Sequence, residues 1–513
     1  MKDELESAES WWKAGVFYQI YPRSFADSNG DGVGDLEGVR QRLDYLAWLG
    51  IDAVWLSPFY PSPMADFGYD VADYCDVDSL FGTLGDFDRL LAEAHRRNIK
   101  IIIDWVPNHT SDRHPWFLES RSSRDNPKRD WYIWRDGSPD RPPNNWRRAF
   151  GKGPAWTWDE GTQAWYLHLF LPEQPDLNWS NPDVEQAMHD VLRFWLDRGV
   201  DGFRMDVVHA IGKDPGLPDF PEGLASHRAL KNDERSRQFI RGFRALLDAY
   251  NGERMMVGEV YILDTARVAS YCASGLLHLA FNFVPLWSPW SAETWREQMD
   301  AMYNEMGKAG GWPTWVLSSH DAPRHRTRYG SEAKARAAAV LLLTQRGTPF
   351  LYQGEELGLE NAIIPVERAV DPGGRDGCRA PIPWDATEQH GWPAEPWLPW
   401  PPEPDRRNVA ALQRDTESIL HLYRLLLEVR RSSSALQNGE LEWLPSPEGT
   451  LAYLREAGSD RRAVVVNFGD AEARLSLEGE WQIEVSSEGV GEQSRFGGVV
   501  EASAALILRP ADV

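Results

Sequence analysis

Four carboxylates stand where short apolar runs of this chain come to an end. Asp104 follows KIII, Asp206 follows GFRM, Glu259 follows MMVG, and Asp321 lies just beyond WVLSS. One carboxylic acid can protonate a departing oxygen while a second carboxylate captures an oxocarbenium-like carbon. Two such groups facing one pocket are what cleavage of a glycosidic bond needs. Each also has a plainer use: an aspartate after a strand often caps a helix, and any two carboxylates could be combined this way. A single histidine such as His109 serves more often as a satisfied core residue than as a ligand contact.

The elements that would position these groups are legible as eight apolar runs, starting at Val16, Asp52, Lys100, Gly202, Met255, Leu279, Trp315 and Pro349. Segments of helical period separate them. Leu36, Val39, Leu43, Leu46 and Leu49 fall near one helical face, as do Phe239, Ile240, Phe243, Leu246 and Leu247. Alternating strands and helices predict an α/β fold around a parallel sheet, either closed or open and doubly wound. Polar residues collected at several strand ends favour the closed form, a (β/α)8 TIM barrel. The rhythm breaks between 108 and 176, a stretch rich in Trp, Arg, Pro and Asp that reads as an insertion (B domain) after the third strand. From 437 to 513 short alternating runs such as TLAYLREA and AVVVNFG predict a C-terminal antiparallel β-sandwich. Residues 1–107 and 177–436 then form the two parts of the barrel domain.

Four segments become specific when read together: DWVPNH at 104–109, GFRMDVVH at 202–209, GEVY at 258–261 and SSHDAPR at 318–324. In order and placement they resemble the four signature segments of the α-amylase superfamily, glycoside hydrolase family 13. QPDLNW at 174–179 and YQIYPRSFADSNGDGVGDLEG near the start are similar to the oligo-1,6-glucosidase and α-glucosidase branch of that family. The resemblance spans essentially the whole chain. It implies an exo-acting, retaining α-glucosidase that releases glucose from short α-glucosides through a covalent glucosyl-enzyme.

By the same resemblance, Asp206 is the nucleophile, held ionised and oriented by Arg204. Glu259 is the acid/base, Asp321 the third carboxylate, and His109 and His320 contact the sugar. Asp104 is the structural support of Arg204. In DFGYD, Asp66 would pair with Arg375 from the loop after the eighth strand, with Arg379 as the alternative. Tyr69 would stack on the glucose, and Phe150 and Phe170 would wall the site. Such a pair closes the end of the site into a pocket. Val207, after the nucleophile, goes with α-1,6 linkages in this branch. Ser319 departs from the family's Asn before His-Asp, although a hydroxyl can still hydrogen-bond there.

Asp27, Asn29, Asp31, the Val33 carbonyl and Asp35 place oxygens at alternate positions with Gly32 for a sharp turn, as a calcium loop needs. The twelfth position is Gly38, so the bidentate Glu of an EF-hand is missing. The branch carries a similar metal loop, which implies a structural Ca2+, with Mg2+ as the alternative ion, against an empty Asx-rich turn.

A net charge of −24 disfavours nucleic acid and anionic membranes and suits an enzyme of neutral substrates, which the resemblance implies are α-glucosides or small oligosaccharides. No apolar run approaches the ~20 residues that span a bilayer. The opening residues carry no apolar h-region, so a cytoplasmic location is expected. Three scattered cysteines, Cys75, Cys272 and Cys378, predict reduced thiols and neither a disulfide framework nor a CxxC metal site. Two other readings stand beside the α-1,6-glucosidase. One is an α-1,4-preferring glucosidase, transglucosylase or sucrose-active enzyme on the same machinery. The other is a non-catalytic glucosidase-like binding protein, which would have to lack a membrane helix and yet keep Asp206, Glu259 and Asp321.

Overall fold

A computed structural model describes residues 10–220, 230 and 233–511; the charged opening segment 1–9 lies outside the described residues. The eight apolar runs are strands β1 (Phe17–Ile20), β2 (Ala53–Leu56), β3 (Lys100–Trp105), β7 (Gly202–Met205), β8 (Met255–Gly258), β9 (Leu279–Ala280), β10 (Thr314–Val316) and β11 (Thr348–Tyr352). They pair in parallel in the order β10-β11-β1-β2-β3-β7-β8-β9. Nearly every residue in them is buried, as expected of parallel strands covered on both faces. The barrel is nearly closed. Between β9 and β10, Thr314 replaces ladder bonds: its hydroxyl donates to the Ala280 carbonyl at 2.6 Å and accepts from the Asn282 N–H at 3.2 Å.

Local sequence sets the helices around the sheet. Thr83 and Asp86 form a reciprocal capping box at the start of Leu84–Arg96. Asn181 caps Pro182–Arg198, which ends on Gly199 in the left-handed region. The apolar stripe from Leu36 to Leu49 is two helices, Leu36–Gln41 and Leu43–Leu49, and not one. Arg42 leaves helical geometry between them, and its guanidinium lies 4.2 Å from the Trp384 ring centroid.

Between β3 and β7 the chain forms a separate antiparallel sheet of β4 (Trp134–Arg135), β6 (Ala164–Leu167) and β5 (Trp156–Asp159). Its core of Trp146, Trp156, Trp165 and Leu167 joins Val207 and Ala210 of the barrel. Buried Lys213 adds a tie by pairing with Asp176 at 2.8 Å and bonding Asn108 Oδ1 at 2.7 Å.

The C-terminal part carries β12 (Glu440–Trp443), β13 (Thr450–Ala457), β14 (Asp460–Asn467), β16 (Trp481–Ser486) and β18 (Ala505–Pro510) in one antiparallel sheet. Strands β15 (Ala473–Arg474) and β17 (Val499–Val500) pair separately. Alternation sorts the two faces: Tyr453, Val464, Val466 and Ile507 pack into the barrel core, whereas Ala452, Leu454, Val465 and Leu508 pack under Trp481 and Val500. The buried helix Glu332–Thr344 fills the junction, with Thr344 Oγ1 2.6 Å from the Tyr453 hydroxyl.

Candidate active site

The carboxyl ends of β3, β7 and β8 bring three acids onto one guanidinium. Arg204, fully buried, donates from Nη1 to Asp104 Oδ1 at 2.8 Å and to Asp206 Oδ1 at 2.7 Å, and from Nη2 to Glu259 Oε2. Register places Asp104 directly beside Arg204 on neighbouring strands. Val207 then turns the chain at φ 33° and ψ 40°, a left-handed conformation that a β-branched residue rarely adopts. This turn aims the Val207 N–H at Glu259 Oε2, 3.3 Å away.

Burial raises the Asp206 carboxyl well above its ordinary range, opposed by Arg204 and reinforced by the charges of Glu259 and Asp104. Burial likewise lifts Asp104 to about 6 against the pull of Arg204. Asp206 and Asp104 share this one cation, so burial lifts both together.

Above the cluster is a cavity of about 240 Å³ lined by Asp66, Tyr69, His109, Phe150, Phe170, Asp206, Val207, Glu259, Tyr261, Trp287, Asp321 and Arg375, together with Ala149 and Gly373. Arg375 bonds Asp66 Oδ1 at 2.6 Å and Asp321 Oδ1 at 2.9 Å. Arg379, the alternative partner of Asp66, instead bonds Asp321 at 3.0 Å and Asp371 at 3.2 Å. Asp371 decides between the two arginines, because it grips Arg375 through Nε at 2.9 Å and Nη2 at 2.6 Å. Gly373 admits this packing, since a Cβ there would stand 2.9 Å from Arg375 Nε.

Asp321 exposes 33% of its side chain to the cavity. Burial would raise its carboxyl, but His320, Arg375 and Arg379 outweigh that and hold it well below the usual carboxylate range. Ser319, where the family has Asn, accepts the Asp321 N–H on its hydroxyl at 3.2 Å.

Arg204 and His320 do not line the cavity; they lie behind it. Gln19 from β1 donates to His320 Nδ1 at 2.7 Å, which leaves the proton on Nε2, 2.6 Å from the Tyr69 hydroxyl. The Tyr69 hydroxyl in turn donates to Asp104 Oδ2 at 3.1 Å, and its ring stacks on His320 at 5.5 Å. Burial lowers His320 to about 3 and His109 to about 4, so both are neutral at pH 7. His109 is set by Asn108 Nδ2 at 3.1 Å on Nδ1 and by the Tyr69 carbonyl at 3.2 Å on Nε2.

Sequence reasoning missed Gln174, whose Nε2 donates to Asp66 Oδ2 at 3.0 Å, and with it Gln19, Asp371, Tyr261 and Trp287. Gln174 opens the QPDLNW segment, which was the available signal.

The Asp-rich segment folds as a chain of Asx turns. Asp27 accepts the N–H groups of Asn29, Gly30 and Gly32 at 3.0, 2.7 and 3.0 Å. Asn29 accepts Asp31 N–H, and Asp31 accepts Val33 N–H. Asp35 takes Ser28 and caps Leu36–Gln41 through Gly38. Gly32, at φ +82°, is required because a Cβ would meet the Glu395 carbonyl at 2.3 Å. Among the described residues, no three His, Cys, Asp or Glu side chains gather into a group that could hold a metal alone, and no helix is long and apolar enough to cross a membrane.

The family model for the alpha amylase catalytic domain matches residues 19–439. A probable alpha-glucosidase of Rhizobium meliloti (strain 1021) is 42% identical, covering 92% of each chain. An oligo-1,6-glucosidase of Parageobacillus thermoglucosidasius is 39% identical over 90% of this chain and 91% of its own. The crystal structure of the alpha-glucosyl transfer enzyme XgtA superposes with a TM-score of 0.90 at 41% identity, covering 97% of this chain and 99% of that one. With the strand-end acids on a common arginine and a family model that matches most of the sequence, the chain belongs to the α-amylase family, glycoside hydrolase family 13.

Proposed function

We propose that this protein is an exo-acting retaining α-glucosidase that releases glucose from the non-reducing end of short α-glucosides, with α-1,6 links preferred. The carrying observation is that one guanidinium, Arg204, holds both Asp206 and Glu259. A retaining pair must stand close enough for one carboxylate to attack the anomeric carbon while the other protonates the same bond. An inverting pair is set roughly 6.5–9.5 Å apart to admit water.

In this reading the Asp206 carboxylate attacks C1 as the glycosidic oxygen takes the proton of Glu259. For this step Glu259 must carry its proton and Asp206 must be ionised before the bond breaks, since the first is the acid and the second the nucleophile. Glu259 then removes a proton from water, which opens the glucosyl ester and regenerates Asp206. Asp321, held ionised, grips the sugar hydroxyls as the ring distorts. The Asp66–Arg375 pair blocks the inner end, so one glucose fits beyond the cleaved bond. Preference for α-1,6 is supported by Val207 beside Asp206 and by similarity to a protein named oligo-1,6-glucosidase.

The oxygen-only donors Asp27, Asn29, Asp31, the Val33 carbonyl and Asp35 fit a hard cation, Ca2+ or Mg2+, that would brace the loop. Their hydrogen bonds leave further lone pairs on Asp27 and Asp31. Three free cysteines, two of them buried, suit a reducing, cytoplasmic setting.

A second reading, transfer of the glucosyl group to an acceptor other than water, is favoured by the likeness to an alpha-glucosyl transfer enzyme. Both readings are tested by initial rates and product analysis on isomaltose, maltose, sucrose, trehalose and 4-nitrophenyl α-glucoside. The expected result is glucose as main product with the highest kcat/KM on isomaltose. Dominant disaccharide products would overturn hydrolysis, and a preference for maltose would overturn the linkage assignment.

A further inference from the structure

The apolar interior of the barrel and the charged cluster meet at one side chain. Trp55 of β2 is buried and belongs to the apolar column inside the strands, with Phe17, Ile102, Val257, Phe281 and Phe350. Its ring lies tilted on Phe281 at 5.4 Å. The rest of the indole meets charge and polarity. Nε1 donates to Asp104 Oδ2 at 3.2 Å, the Arg204 guanidinium lies 5.1 Å from the ring centroid, and His320 stands across the ring at 5.9 Å.

Asp104 depends on such donors. It is fully buried, and its Oδ1 takes Arg204 Nη1, the same nitrogen that holds Asp206. Glu259 and Asp206 oppose its charge, and burial lifts its carboxyl to about 6. The Tyr60 hydroxyl serves only its backbone carbonyl. Among the described residues, Oδ2 is met by the Tyr69 hydroxyl and the Trp55 indole. The Tyr69 hydroxyl also pairs with His320 Nε2 at 2.6 Å and can turn either way, whereas an indole N–H can only donate. A hydrogen bond to a carboxylate favours its ionised form, and an ionised Asp104 holds Arg204 by a charge-assisted bond.

Resting on the glucosidase reading above, we infer that Trp55 is a positioning residue for the nucleophile: its indole N–H keeps Asp104 ionised, and the ionised Asp104 holds Arg204 beneath Asp206. The active form then carries Asp104 ionised. Without the indole N–H the next proton adds more easily, so the acid limb of kcat/KM moves to higher pH. Asp104 is ionised on both sides of the alkaline limb, which stays where it is.

The test separates the N–H from the bulk of the ring. Trp55→Phe keeps a six-membered ring without a donor, and Trp55→His keeps a five-membered ring that can place an N–H where the indole has one. Profiles of kcat/KM against pH are measured on isomaltose and 4-nitrophenyl α-glucoside, with melting temperatures on the same proteins. Trp55→Phe is expected to raise the acid limb by about one pH unit on both substrates. Trp55→His should bring the limb back toward wild type while melting lower than Trp55→Phe, because it loses more buried apolar volume. A shift in neither variant, or a larger one in Trp55→His, would reduce Trp55 to packing and leave the glucosidase reading intact. A wild type inactive on both substrates would overturn that reading instead, and melting would then decide the role of Trp55. Burial holds Asp104 above its unfolded value, so its stabilising proton is lost as pH rises through the folded value. The gap in melting temperature between wild type and Trp55→Phe should therefore widen between about pH 6 and 7, and a constant gap would overturn the inference.

Discussion

Asp27, in the loop after β1, and Asp104, at the end of β3, are both nearly sealed from solvent, but their partners differ in kind. Asp27 accepts three backbone N–H groups of its own turn. Asp104 shares one guanidinium with two other acids, and its carboxylate otherwise meets, among the described residues, the hydroxyl of Tyr69 and the indole N–H of Trp55. Local donors make a carboxylate a brace, because they come with the chain and cannot leave. Distant, shared donors leave it poised, with burial lifting Asp104 to about 6 and raising Asp206 as well.

The largest effect should come from breaking the poised cluster. Asp206→Asn removes the attacking charge and keeps the shape, so kcat/KM should fall about 10³-fold or more on every α-glucoside. Glu259→Gln should instead discriminate. An activated leaving group such as 4-nitrophenolate departs without a proton, so formation of the glucosyl-enzyme should be far less impaired on 4-nitrophenyl α-glucoside than on isomaltose. A variant Asp206→Asn with wild-type rates would dissolve the distinction between poised and bracing acids.

A smaller effect is expected one layer out. Arg375→Ala cuts the bonds to both Asp66 and Asp321 and should cost about 10²-fold in kcat/KM on isomaltose. Steady-state kinetics on Arg379→Ala would separate the two arginines. Its bonds reach Asp321, Asp371 and the His320 carbonyl but not Asp66. Both losses leave buried carboxylates unpaired and should lower the melting temperature, but Arg379→Ala leaves the Asp66–Arg375 pair in place and should keep more of the kcat/KM on isomaltose than Arg375→Ala does.

The same contrast explains what is legible in the sequence. Strands buried on both faces must be apolar throughout, so all eight barrel strands were visible as runs, and their ends marked Asp104, Asp206 and Glu259. Arg375 and Arg379 were harder to separate, because both lie in one irregular loop and the choice depends on the grip of Asp371 four residues before Arg375. The break at Arg42 was hidden because the apolar period continues across it. Gln19 and Trp287 gave no local signal: one acts through His320 across the barrel, and the other is an exposed ring in a turn without period.

The smallest expected effect lies with the bracing acids and should leave chemistry untouched. If a cation joins the donors of residues 27–35, chelation should lower the melting temperature by no more than about 2 °C, since about 1 kcal/mol shifts a domain of 150–250 residues by roughly 2–4 °C and a larger one by less. Adding Ca2+ back should restore it, and kcat measured well below the transition should not change. Asp27→Asn keeps an acceptor for the turn but removes a charge from the loop, so its melting temperature should start lower and respond less to chelator. An Asp27→Asn protein that lost kcat at unchanged stability would show that this loop is coupled to the reaction after all. Equal chelator responses in wild type and Asp27→Asn would place any bound cation elsewhere and leave residues 27–35 as a self-sufficient Asx-rich turn.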